Sequence, residues 1–102
     1  SAQKLSALMS DSLGSFAALF RAVLLLSGEE PPVAKPDCVR ATVRKLKLDG
    51  EPFERIFALR TSDDVDLTDR EANELFASYM AQIERVIEVV DRMTSDAQGA
   101  RA

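Results

Sequence analysis

Histidine is missing from the 102 residues of this chain, and so is tryptophan. The first absence removes Ser-His-Asp triads, Cys-His pairs, His general bases and nearly every zinc site. Cysteine occurs once, at Cys38, so no disulfide closes within the chain and a reducing cytoplasm is the expected compartment. No charged segment ahead of a cleavable apolar run, and no small-residue cleavage site, marks a secretory leader. Glycine and proline number four each and gather at a few places, and no stretch alternates apolar with polar residues as a strand does. What is present is 46% apolar and 29% charged residues, the balance of a folded soluble domain. A chain this short builds one core and has no room for a separate catalytic domain. A single domain over residues 1–102 is therefore expected, ordered over about 3–94. The opening Ser1-Ala2-Gln3, without Met, is what a fragment of a longer protein would show.

The longest apolar run is Phe16 to Leu26, FAALFRAVLLL, in which Arg21 is the only charge. At 100° per residue, Met9, Leu13, Phe16, Phe20, Val23 and Leu24 form one stripe, and Gly14, Ala18, Ala22 and Leu25 line the opposite side. A helix apolar nearly all round is expected to be surrounded by others. Counted over Leu13–Leu26, with Gly14 and Arg21 inside, it is too short to span a bilayer, which takes about 20 apolar residues, so no membrane is expected.

The first helix should begin near Ala2 or Gln3 and end at Leu26 or Ser27, with Gly28 at the left-handed position beyond it. Pro31 and Pro32 stiffen the following connector. Pro36 and Asp37 suit the start of a second helix to about Leu46, with Cys38, Val39, Thr42, Val43 and Leu46 inward. Pro52 opens a third through Leu59 or Arg60, with Phe53, Ile56 and Phe57 inward. Thr68-Asp69-Arg70-Glu71 matches the S/T-x-x-E capping box. The helix behind it repeats Leu75, Tyr79, Ile83, Val86, Val90 and Met93, and should run to about Thr94, leaving Ser95 to Ala102 frayed. The fold class that follows is all-α, an up-and-down four-helix bundle with long first and last helices.

Charge is unevenly placed. Lys35, Arg40, Arg44, Lys45 and Lys47 face one carboxylate, Asp37, so a segment of four positive units lies in a chain of net charge −4. Arg40, Arg44 and Lys47 fall at i, i+4 and i+7 on one helix face, where they could touch phosphates of RNA or a nucleotide. The plainer account is a solvated face, since no aromatics interleave and the whole chain is acidic. Asp63, Asp64 and Asp66 could invite a hard cation, but from Asp64 an EF-hand frame puts Asp69 where Gly belongs and Leu75 where Glu belongs. An acidic loop before a helix N-terminus explains them better. Cys38, on an apolar face without a partner, reads as a small buried residue. Arg21 could reach a ligand or snorkel at the bundle edge. Arg60 falls by angle on the inward side of the third helix, where Asp63 or Asp64 would hold it. No cofactor or metal site is expected.

The order of these features carries a resemblance. Ser15, Phe20, Arg21 and Ala22 follow an S-x-x-x-x-F-R-A pattern. Leu59-Arg60-Thr61-Ser62-Asp63-Asp64-Val65 lies where an L-R-x-x-A-D-Y segment would end the third helix. Leu67-Thr68-Asp69-Arg70-Glu71-Ala72 matches L-T-x-x-E-A. Together they resemble the HEPN family of four-helix bundles. That resemblance implies either a ribonuclease built on R-x(4–6)-H or a helical partner of nucleotidyltransferases. Without histidine the first cannot hold, and the Tyr of the D-Y variant is either replaced by Val65 or displaced. The reading that remains is a catalytically silent HEPN-like domain, the C-terminal substrate-binding or subunit-interface part of a nucleotidyltransferase-like protein. Its binding residues would come from Arg21, Lys35, Arg40, Arg44, Lys47, Arg60, Asp63 and Asp64, and its partner would be a nucleotidyltransferase domain in cis or trans. The alternatives are a free-standing homodimerisation module using the Gly14, Ala18, Ala22 and Leu25 side, and a degenerate nuclease using Arg60 and Asp63.

Overall fold

The computed structural model describes the backbone of residues 1–60 and 67–99 and the side chains of residues 1–59 and 67–95. Its described residues form four helices, α1 (Ala2–Leu26), α2 (Lys35–Leu46), α3 (Glu51–Arg60) and α4 (Asp69–Gly99), and no strand. The core draws on all four. Met9, Leu13, Phe20 and Val23 of α1 meet Val39 of α2, Phe53 and Ile56 of α3, and Leu75, Tyr79, Ile83 and Val86 of α4, each at most 2% exposed. At its centre the rings of Phe20, Phe53 and Tyr79 stand edge to face, with centroids 5.7 and 6.0 Å apart, an arrangement that favours aromatic pairs. Phe16 and Val90 pack against this cluster while only half-buried.

The helix ends follow local chemistry. Ser1 caps α1 by accepting from the Lys4 amide at 3.3 Å. Gly28 closes it at φ 81°, its amide bonding the Leu25 carbonyl while Glu29 N–H reaches back to Leu24 at 2.9 Å. Thr68 and Glu71 exchange the reciprocal bonds of the capping box at 3.1 and 3.2 Å. Thr68 holds the Glu71 carboxyl below its ordinary range, through its backbone amide first and its hydroxyl second. Lys47, counted with the basic stripe, takes the left-handed conformation at φ 57° that ends α2, and the Leu48 amide donates to Val43 at 3.0 Å.

Two expectations change. Helix α4 continues past Thr94 to Gly99, where a fraying tail was expected. No proline interrupts the stretch, and Ala and Gln are good helix formers. The order of the helices also departs from a strict up-and-down alternation, which would set α1 and α4 antiparallel. The Ala2 amide donates to Asp69 Oδ1 at 2.7 Å, and Ser12 Oγ bonds the Tyr79 hydroxyl at 2.9 Å, both across a separation of 67 residues. A constant separation means parallel helices in register. α2 and α3 together provide the returning limb: Thr42 bonds the Phe20 carbonyl, and the Asp49 amide reaches Gln82 of α4.

α1 has 25 residues, a length of about 37 Å at 1.5 Å per residue. The apolar run alone fell short of a bilayer, but the whole helix is long and apolar enough to cross one by length and composition. The same helix buries Met9, Leu13, Phe20, Val23 and Leu24 inside the protein. It is not surrounded, however. Leu8, Leu25 and Leu26 are 52, 59 and 54% exposed, and Ala18 is exposed beside them.

Candidate functional site

The basic segment of α2 is the first candidate, and two of its five cations, Arg40 and Lys45, are paired with carboxylates of this chain. Arg40 lays its guanidinium on Glu54 of α3, with Nε to Oε2 and Nη2 to Oε1 both at 2.9 Å. It also lies 5.2 Å over the Phe57 ring and 3.7 Å from Asp37. The bidentate bond from Arg40 holds the Glu54 carboxyl below its ordinary range, and Glu54 in turn raises Arg40 further. Lys45 pairs with Glu29 at 3.4 Å. Lys35, Arg44 and Lys47 are exposed and have no ion-pair partner among the described residues.

Two clefts flank α2. One of about 480 Å³ lies between the connector and α2, lined by Leu24, Pro32 and Ala41 with Glu29, Glu30, Arg44 and Lys45 at its rim. Two carboxylates there offset two cations, so it attracts neither sign strongly. The other, about 230 Å³, has Val39, Val43 and Phe53 as its floor and the Arg40–Glu54 pair at its edge. A Cβ on Gly50 would stand 3.2 Å from Val43 Cγ1, so a larger residue there would press on the cleft floor.

Arg21 belongs to neither cleft. Its Nη2 donates to the Pro32 carbonyl at 3.0 Å and to Val33 at 3.5 Å, and Cys38 Sγ donates to the same Pro32 oxygen at 2.9 Å. One carbonyl of the connector thus receives both α1 and α2. Cys38 is 1% exposed. The Arg60 side chain, Asp63 and Asp64 lie outside the described residues, and with them the proposed Arg60 clamp and the acidic loop. Among the described residues no group of three metal-ligating side chains comes together.

The positions that sequence reasoning missed are Glu54 and Glu29. Both lie on other elements, and only folding places them against Arg40 and Lys45. The apolar side of α1 opposite the main stripe was legible as a pattern, expected either to be surrounded by other helices or, in the alternative reading, to serve as a homodimerisation face. Comparison with protein-family models, with curated proteins and with solved structures returns no match.

Proposed function

We propose that this chain is a non-catalytic interaction domain, a HEPN-like helical bundle acting at a subunit interface. The observation that carries the reading is the uncovered apolar side of α1, where Leu8, Leu25 and Leu26 are each more than half exposed. Large apolar side chains left open to solvent along one helix are what an association site would use. From Ser12 to Gly28 the only charge is Arg21, and its guanidinium is drawn off to the connector carbonyls. The geometry favours the interface role over substrate binding, since Arg40 and Lys45 of the basic segment already hold carboxylates. A nucleotidyltransferase domain is the partner that the HEPN-like pattern implies, and the single buried thiol suits a reducing cytoplasm.

The discriminating experiment is an NMR titration with nucleoside triphosphates and single-stranded RNA. Amide shifts along α2 are expected to stay unmoved at moderate salt. Saturable shifts centred on Arg44 and Lys47 would overturn the interface reading and make α2 a phosphate-binding face.

A further inference from the structure

We infer that the cleft between α2 and α3 docks a segment of a partner protein that carries a large aliphatic side chain beside a carboxylate, the side chain seated in the cleft and the carboxylate on Arg44. No residue of α1 lines this cleft, so the site is separate from the apolar side of α1. Its floor is apolar. Val39 and Phe53 are each 1% exposed, and Val43, only half-buried, carries the open surface. Gly50 adds no side chain above Val43, where a Cβ would stand 3.2 Å from Cγ1. Its backbone does not demand glycine, since among the described residues Gly28 is the glycine at positive φ. At about 230 Å³ the cleft is smaller than the ~300–1,000 Å³ of sites that take a whole small molecule, and it suits one anchoring side chain. A nucleobase finds no platform there, because Phe53, the one aromatic ring of the lining, is spent edge to face on Phe20 and Tyr79.

Charge selects what stands beside the anchor. Arg40 and Arg44 lie one turn apart on α2 and both border the cleft. Glu54 answers Arg40 with both carboxylate oxygens at 2.9 Å, whereas Arg44 is exposed and has no ion-pair partner among the described residues. The rim of Arg40, Glu54 and Arg44 therefore keeps one positive charge. Asp49 and Glu51, on either side of Gly50, line a different cleft together with Arg55. Arg44 also borders the connector cleft, but the carboxylate that reaches an ion pair there, Glu29, is held by Lys45. The Arg40–Glu54 pair shows within the chain how a carboxylate lies along this edge. A partner's carboxylate would repeat that contact one turn further on, with the planar guanidinium fork matched to its two oxygens.

An NMR titration with the peptide acetyl-Ser-Leu-Glu-Ser-amide tests this. Saturable shifts are expected at the amides of Val43, Arg44, Gly50 and Phe53, with a dissociation constant of about 1 mM, as befits one anchor and one exposed ion pair. Replacing the peptide's Leu by Ser should weaken binding at least about tenfold, and replacing its Glu by Gln several-fold. In the protein, Arg44→Glu should weaken it at least about fivefold. Lys35→Glu makes the same change of charge at the start of α2, away from the cleft, and should leave it within about twofold. Both positions are exposed, so the spectrum away from α2 should stay as in the parent. No saturable shift up to about 10 mM peptide overturns the inference, as do shifts that Arg44→Glu leaves unchanged. Equal binding of the Leu and Ser peptides overturns it in favour of a cationic stripe that holds carboxylates without an apolar anchor. The reading of α1 is untouched by any of these outcomes, since it stands or falls on the nucleotide and RNA titration.

Discussion

Glu54 grips Arg40 through both carboxylate oxygens at 2.9 Å, and by doing so withdraws the first member of the basic stripe from solution chemistry. The pair is about half exposed, so its value to stability is small. Its effect on binding is larger. Glu54→Gln removes a negative charge and releases a guanidinium beside Arg44. The variant should bind single-stranded RNA or heparin several-fold more tightly than the parent at low salt, with a steeper salt dependence. Equal affinities by fluorescence anisotropy would show that Glu54 does not control the stripe.

Tyr79 offers a second test because its hydroxyl is tied to Ser12 in an otherwise apolar core. Ser12 also donates to the Met9 carbonyl at 3.1 Å, so Tyr79→Phe leaves it a partner and should cost about 1 kcal/mol. Ser12→Ala strands a buried phenol and should cost more, about 1–3 kcal/mol. Burial pushes the Tyr79 phenol above its ordinary value of 10.0, the Ser12 bond pulling the other way. The folded state therefore holds the proton more tightly than the unfolded chain does. That stability is present below about pH 10 and lost as pH rises through the higher folded value. Urea unfolding at increasing pH should show the loss in the parent and a smaller one in Tyr79→Phe.

Helix periodicity and stop signals were legible in the sequence because they are local. Met9, Leu13, Phe20, Ile83 and Val86 lie inside as their spacing requires, and Gly28 and Thr68-Glu71 end and begin their helices by bonds to near neighbours. The relative direction of α1 and α4 was not legible, since it depends on bonds 67 residues apart. The candidate site fared worse for the same reason. The spacing of Arg40, Arg44 and Lys47 reveals a stripe, but Glu54, which holds Arg40, arrives from α3. A side apolar by count gives no sign of whether its cover belongs to the same chain, and on α1 the leucines at positions 25 and 26 remain open.

Gly14 sits in the middle of α1, and a Cβ added there meets nothing within 4 Å. Within the chain the glycine therefore has no packing role, and it weakens the helix through its backbone freedom. Gly14→Ala should stabilise the protein by roughly 0.5–1 kcal/mol, read as a higher urea midpoint at unchanged slope. A loss of stability would mean that something in solution approaches the backbone at Gly14 closely enough to exclude a methyl group.

Arg21 supplies the last prediction. Its guanidinium and the Cys38 thiol converge on the Pro32 carbonyl, at 3.0 and 2.9 Å, so the connector is held from α1 and α2 at one atom. The arginine bond is exposed to water and worth about 1 kcal/mol at most, whereas the thiol is buried and a weak donor. Removing the arginine should therefore loosen the connector without unfolding the core. In Arg21→Ala the amides of Glu29, Glu30 and Val33 should exchange faster with deuterium, while those of Val39 and Ile83 keep their protection. Arg21→Lys should restore the protection only partly, since a point charge replaces a planar fork. If Arg21→Ala leaves connector exchange unchanged yet abolishes association with a partner, the residue belongs to the interface and the connector is held by its prolines and Cys38.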